Sequence, residues 1–188
     1  MNAANTLTVS RMVLVPFYLV FLYYSQTDSN AYLWLSLAIF MAVAIGDAFD
    51  GYVARKLDQV TSLGSFLDPL CDKMILWVSF VILAYYEKVP FWLMVLILSK
   101  DALIFLGGVA LHFFDCDCSI NPNFWGKGAS AVQFVLVLCT LFTIGIGWFG
   151  RPVANNFFWV MWSLAAFMTT VSGISYAIIE SRRLSKAG

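Results

Sequence analysis

Charge is what this sequence has least of. Asp, Glu, Lys and Arg make up 12% of its 188 residues, whereas 61% are hydrophobic, and the mean hydropathy is +0.82. A soluble domain of this length carries about twice that share of charge. The surplus apolar surface calls for a solvent other than water, so the chain reads as an integral membrane protein. Formal net charge is zero, which gives no bulk attraction for a polyanion and points to no nucleic-acid partner. There is no small-residue cleavage site after the first apolar run, hence no expectation of a cleavable signal peptide. Disulfides are not expected from the four cysteines. Cys71 stands in a carboxylate-rich stretch, Cys139 in an apolar run, and only Cys116 and Cys118 in a polar loop. His112, Cys116 and Cys118 match no closed four-ligand zinc pattern. Internal repeats, low-complexity linkers and a clear Gly-x-x-x-Gly face are missing as well.

What is present is a series of six apolar segments, at about 12–25, 31–46, 74–86, 89–111, 129–148 and 157–179. A spanning helix needs about 20 residues. The second and third segments reach that length only if their helices continue into the polar stretch between them, to about Arg55 and from about Phe66. No segment alternates as a barrel strand would, and backbone polar groups in lipid must be satisfied within the segment, so helices are expected throughout. The expectation is an all-α integral membrane protein with six transmembrane helices forming one domain over residues 1–188. The seven Trp and eight Tyr suit anchoring at the interfaces. With the N-terminus in the cytoplasm, Arg11, Arg55, Lys56, Lys73, Lys127, Arg182, Arg183 and Lys186 fall on that side. Lys88 and Arg151 fall outside. That imbalance predicts N-in, C-in topology.

Between the second and third segments runs GDAFDGYVARKLDQVTSLGSFLDPLCDK, residues 46–73. At 100° per residue, Asp47 and Asp50 lie about 60° apart on a helix, and Asp68 and Asp72 about 40° apart. Each pair projects from one face, and the polar connection ending at Gly64 can fold the pairs together. Bare carboxylates so close repel, and each costs a few kcal/mol at membrane depth. Protonation relieves this; a hard divalent cation relieves it better, because Mg²⁺ or Mn²⁺ takes oxygen ligands and shares its shell with phosphates. Four carboxylates suffice for two such ions. Gly51 and Ala54 leave room beside Asp47 for a bulky ligand, and Arg55 adds positive charge for phosphate oxygens. The combination points to phosphoryl chemistry at the cytoplasmic membrane surface. Solvated loop carboxylates, a cation transporter and an intramembrane prenyltransferase are the competing readings, and none of them needs the Gly51-x-x-Ala54-Arg55 insertion.

Asp47-x-x-Asp50-Gly51-x-x-Ala54-Arg55, eight residues, then Gly64-x-x-x-Asp68-x-x-x-Asp72 resembles the complete signature of the CDP-alcohol phosphatidyltransferase family. NTLTVSRMVLVP near the start, Gly126-Lys127 with Gln133, and the closing SGISYAI are similar to that family too. The resemblance implies a six-helix membrane enzyme, usually a homodimer, that transfers a phosphatidyl group from CDP-diacylglycerol to an alcohol and releases CMP. It implies that Asp47, Asp50, Asp68 and Asp72 hold two divalent cations, Mg²⁺ or Mn²⁺. Asp72 would be the general base, and Asp47, Gly51, Ala54, Arg55 and Asp68 would contact the CDP moiety. The opening segment and the Gly-Lys…Gln element are most similar to the branch of phosphatidylglycerophosphate and cardiolipin synthases. Their acceptors are glycerol 3-phosphate and phosphatidylglycerol; other members use acceptors such as inositol phosphate or serine. An anionic acceptor needs basic groups, and the candidates are Arg11, Lys73, Lys100 and Lys127. Lys100 lies inside the fourth apolar segment. The glycerophosphate branch often has Arg-Glu at this place and the cardiolipin branch Arg-Asp; Lys100-Asp101 matches neither fully and leans slightly to the second. Since neighbouring residues point about 100° apart, Asp101 is not expected to pair with Lys100.

Overall fold

The computed structural model describes residues 3–25, 30–57, 62–113 and 124–187, with side chains at 13–25, 30–46, 73–107 and 125–178. Six helices carry the described residues, and no strand is found among them. They are α1 (Ala3–Ser25), α2 (Asn30–Leu57), α3 (Ser62–Tyr85), α4 (Phe91–Phe113), α5 (Phe124–Gly145) and α6 (Pro152–Ala187). The apolar part of α2 ends near Gly46 and that of α3 begins near Lys73. Both helices nevertheless run on through the aspartate stretch, as the short apolar segments require. α3 starts at Ser62, four residues before the expected point, so Gly64 belongs to its first turn and not to the connection. α6 starts at Pro152, ahead of its apolar run. Proline suits the first turn because its missing N–H has no intrahelical partner there.

The chain divides into two compact units. The first comprises Met1–Tyr86 with Thr140–Trp148, and the second comprises Glu87–Cys139 with Phe149–Gly188. In the first, α1 packs along both α2 and α3. Its buried stripe, Val15, Tyr18 and Leu22, has the i, i+3, i+7 spacing of one helix face. The α2 stripe is Leu33, Ser36, Phe40 and Val43. Tyr18 joins all three helices: its ring lies 5.8 Å from that of Phe40 and its hydroxyl bonds Ser79 at 2.6 Å. Ser79 in turn donates to the Ile75 carbonyl. A tyrosine cluster gathers one end of the unit. Tyr23 meets Tyr24 and Tyr86 at 5.7 and 5.9 Å, Tyr24 meets Tyr32 at 6.2 Å, and Tyr85 meets Tyr86 at 5.1 Å.

In the second unit α4 packs on α6. Leu93, Ile97, Lys100 and Asp101 form the buried stripe of α4. Ala154, Phe158, Ala165, Thr169 and Ser172 form that of α6, and Ala129, Gln133, Leu136 and Val137 are buried from α5. The end of α5, which belongs to the first unit, closes with paired bonds, Trp148 N–H to Thr143 O at 2.8 Å and Gly147 N–H to Ile144 O at 3.0 Å. Gly147 sits at φ +64°, the left-handed C′ position of a Schellman motif.

The outward faces are apolar. Val153, Val160, Phe167 and Ile174, seven residues apart on α6, are 70, 67, 61 and 56% exposed. An unbroken apolar stripe of this kind is unfavourable in water and suited to lipid. Trp125–Gly145 and Pro152–Ile178 are long and apolar enough to cross a membrane. Tyr23, Tyr24, Tyr32 and Tyr85 are exposed at one end of the first unit, where amphipathic rings suit an interface.

Candidate functional site

The signature residues fall on two helices of the first unit. Asp47, Asp50, Gly51, Ala54 and Arg55 are in α2, and Gly64, Asp68, Asp72 and Lys73 are in α3. The side chains of Asp47, Asp50, Gly51, Ala54, Arg55, Asp68 and Asp72 lie outside the described residues, as does that of Arg11 in α1. The backbone register is informative without them. From Tyr32, in the tyrosine cluster, Asp47 and Asp50 stand about 22 and 27 Å along α2 at 1.5 Å per residue. From Tyr85, in the same cluster, Asp72 and Asp68 stand about 20 and 26 Å along α3. Both helices pack along α1, and the aspartates fall in the parts of α2 and α3 remote from the tyrosine cluster. Lys73 is half-buried one residue beyond Asp72.

The remaining basic candidates belong to the second unit. Lys127 is exposed in the first turn of α5. Lys100 is buried, and its Nζ lies 2.9 Å from Asp101 Oδ1, the two side chains being 7 and 3% exposed. This corrects the sequence expectation. Adjacent Cβ vectors do diverge, but the four-carbon lysine arm folds back along its own helix to meet the carboxylate. Neither charge could be buried so far without such compensation.

Lys100 is also not isolated in depth. A methyl group at Gly173 would lie 3.2 Å from Lys100 Cγ, so the glycine lets the lysine arm lie against α6. One turn further along α6, the Tyr176 hydroxyl would be 3.0 Å from a methyl group at Gly126, in the first turn of α5. Lys100 therefore sits about one helical turn from the level where α5 begins. One turn in the other direction, Gln133 Nε2 donates to Thr169 Oγ1 at 3.0 Å, both side chains buried.

Between these contacts stands Ser172. It is fully buried, and its Oγ is one of two buried side-chain polar atoms without a partner among the described residues, the other being Trp162 Nε1. Other hydroxyls of α6 bond back to their own helix: Ser163 to Trp159 O, Thr170 to Ala166 O and Ser175 to Val171 O. Ser172 does not. An unsatisfied buried hydroxyl costs about 1–3 kcal/mol. Sequence reasoning singled out SGISYAI as a resemblance and assigned none of its residues. The signal it passed over is spacing: Thr169, Ser172, Gly173 and Tyr176 fall on one face of an otherwise apolar helix.

His112, Cys116 and Cys118 lie outside the described side chains. Cys139 is half-buried in α5. No cluster of three His, Cys, Asp or Glu occurs among the described residues.

The family model for CDP-alcohol phosphatidyltransferase matches residues 1–174. A probable phosphatidylglycerophosphate synthase of Mycobacterium tuberculosis is 31% identical over 179 residues, covering 93% of this chain and 79% of that protein. A CDP-diacylglycerol–glycerol-3-phosphate 3-phosphatidyltransferase of Bacillus subtilis is 29% identical over 185 residues, covering 93% of each chain. A human cardiolipin synthase (CMP-forming) is 29% identical over 194 residues, covering 92% of this chain and 59% of that protein. Family members are membrane proteins that use divalent cations and take CDP-diacylglycerol and an alcohol as substrates. With the signature complete on α2 and α3 and the match running into α6, this chain belongs to the CDP-alcohol phosphatidyltransferase family and is an enzyme of phospholipid synthesis.

Proposed function

We propose that the chain transfers the phosphatidyl group of CDP-diacylglycerol to glycerol 3-phosphate, giving phosphatidylglycerophosphate and CMP. The observation that carries this reading is the full eight-position signature on α2 and α3, in a chain whose relatives from Mycobacterium tuberculosis and Bacillus subtilis bear that activity in their names. Cardiolipin synthesis from phosphatidylglycerol is the second reading, favoured by the human relative and by the aspartate in Lys100-Asp101. Inositol phosphate or serine as acceptor, and a transporter without chemistry, are further outcomes a test must separate.

In this reading Asp47, Asp50, Asp68 and Asp72 hold two divalent cations, Mg²⁺ or Mn²⁺. When bound, these supply positive charge that offsets the pyrophosphate and improves CMP as a leaving group. Asp47, Asp68 and Arg55 orient the CDP moiety, while Gly51 and Ala54 leave space for it against α2. The Asp72 carboxylate takes the proton of the acceptor hydroxyl. The acceptor oxygen forms its bond to the β-phosphorus as the bond from that phosphorus to the bridging oxygen breaks, and CMP carries away the electron pair. Arg11, Lys73, Lys100 and Lys127 draw the anionic acceptor. The domain is a single one over residues 1–188 with six spans, the site facing the cytoplasm, and the enzyme works as a homodimer.

The test is product identification. Purified protein given CDP-diacylglycerol, Mg²⁺ or Mn²⁺ and competing glycerol 3-phosphate, phosphatidylglycerol, inositol phosphate and serine should form phosphatidylglycerophosphate. Cardiolipin as the principal product would move the reading to the second acceptor.

A further inference from the structure

We infer that Ser172, with Gly173 beside it, completes the acceptor subsite at Lys100 and helps to determine which oxygen-rich acceptor the enzyme takes. The inference rests on the reading of Lys100 as an acceptor-binding residue. Three observations converge on it. Lys100 is buried and held by Asp101 at 2.9 Å, so an anion reaching the lysine would draw its ammonium away from that partner. The lysine arm rests against Gly173, where a methyl group would stand 3.2 Å from Cγ. A methyl group there would crowd the arm and shift it. The adjoining Ser172 hydroxyl is fully buried with no partner among the described residues, although its neighbours Thr170 and Ser175 bond back to their own helix.

The back-bond to the i−4 carbonyl is open to any serine in a helix and would satisfy Ser172 locally. The hydroxyl forgoes it and is left for a ligand from outside its own helix. A phosphate or polyol oxygen fits, because a hydroxyl can donate to the former and exchange bonds with the latter. The Lys100 arm lies against Gly173, the residue next to Ser172, so an ammonium from α4 and a hydroxyl from α6 are available to one acceptor that carries both charge and oxygen atoms. Burial of the pair shields their interactions from water and strengthens them. Thr169, fixed by Gln133, and Tyr176, lodged against Gly126, brace α6 on either side of Ser172, so the hydroxyl's position is set by packing.

The experiment uses the full-length protein in detergent or nanodiscs, with glycerol 3-phosphate and CDP-diacylglycerol as the varied substrates. Ser172→Ala should raise the acceptor KM about tenfold and leave the donor KM within about twofold. Its thermal midpoint should be unchanged or higher, since an unsatisfied hydroxyl has been removed. Gly173→Ala should raise the acceptor KM in the same selective way by displacing the Lys100 arm. It decides the matter if Ser172→Ala is poorly folded. Lys100→Met serves as the reference for the underlying reading. If Lys100→Met raises the acceptor KM but Ser172→Ala does not, the inference is overturned and the role of Lys100 stands. An unchanged acceptor KM in Lys100→Met overturns the reading itself, and the inference with it. Donor and acceptor KM rising together in Ser172→Ala would mark a general packing effect and also overturn the inference.

Discussion

At the residue scale, the same functional group has different consequences in different surroundings. The Tyr18 hydroxyl is buried and bonded to Ser79, which keeps a second bond to the Ile75 carbonyl. Tyr18→Phe therefore leaves no orphan partner, and thermal or denaturant unfolding should show a loss of about 1 kcal/mol. Asp72 is a different matter, because its proposed role is chemical. Asp72→Asn should abolish turnover, a fall of at least about 100-fold, while calorimetric titration still detects CDP-diacylglycerol. Near-normal turnover would remove Asp72 from the mechanism. The Lys100–Asp101 pair shows where residue-level sequence reasoning fell short. An angle of about 100° between Cβ vectors describes where side chains start, and a long flexible arm decides where the charge ends. Ser172 was illegible for another reason: whether a hydroxyl is satisfied depends on every helix around it.

At the element scale, helix extents were legible where length forced them. The apolar parts of α2 and α3 are too short to span, so both helices had to continue into the aspartates, and they do. Starts were less legible. Asn155 and Asn156 interrupt the apolar pattern of α6 without interrupting its helix, which begins at Pro152. Residues 62–65, Ser-Leu-Gly-Ser, read as a connection, yet their N-terminal position costs α3 little because the first-turn N–H groups need outside partners anyway. The close of α5 depends on Gly147 at φ +64°. Gly147→Ala places a Cβ in the left-handed region and should cost about 1–2 kcal/mol, read as a lower unfolding midpoint with unchanged substrate KM values. The contact of Gly126 with Tyr176 is equally specific to its neighbours. Sequence shows Gly126-Lys127 as a family element, but only packing shows that a phenol lies across the glycine.

At the scale of the whole molecule, the low charge content and the exposed apolar faces of α6 agree on a lipid environment, and the family's members are membrane proteins. Membrane class, the all-helical elements and the family were all legible, because composition and an eight-position motif carry them. Acceptor choice was not, since the sequence offers Arg11, Lys73, Lys100 and Lys127 and no spacing rule ranks them. The proposed role of the four aspartates makes a metal requirement the molecule-wide expectation. Chelation should abolish activity, and Mg²⁺ or Mn²⁺ should restore it, whereas Ca²⁺, with its longer and less regular coordination, should restore it poorly if at all. Activity that survives exhaustive chelation would contradict the proposed role of the aspartates.

The central claim is donor chemistry at Asp47, Asp50, Asp68 and Asp72, and its most direct measurement is acceptor-dependent release of CMP. Purified protein with CDP-diacylglycerol and Mg²⁺ or Mn²⁺ should release CMP in proportion to glycerol 3-phosphate consumed, one for one, and should release little without an acceptor. If no acceptor elicits CMP in a protein shown to be folded and to bind the donor, the account is wrong.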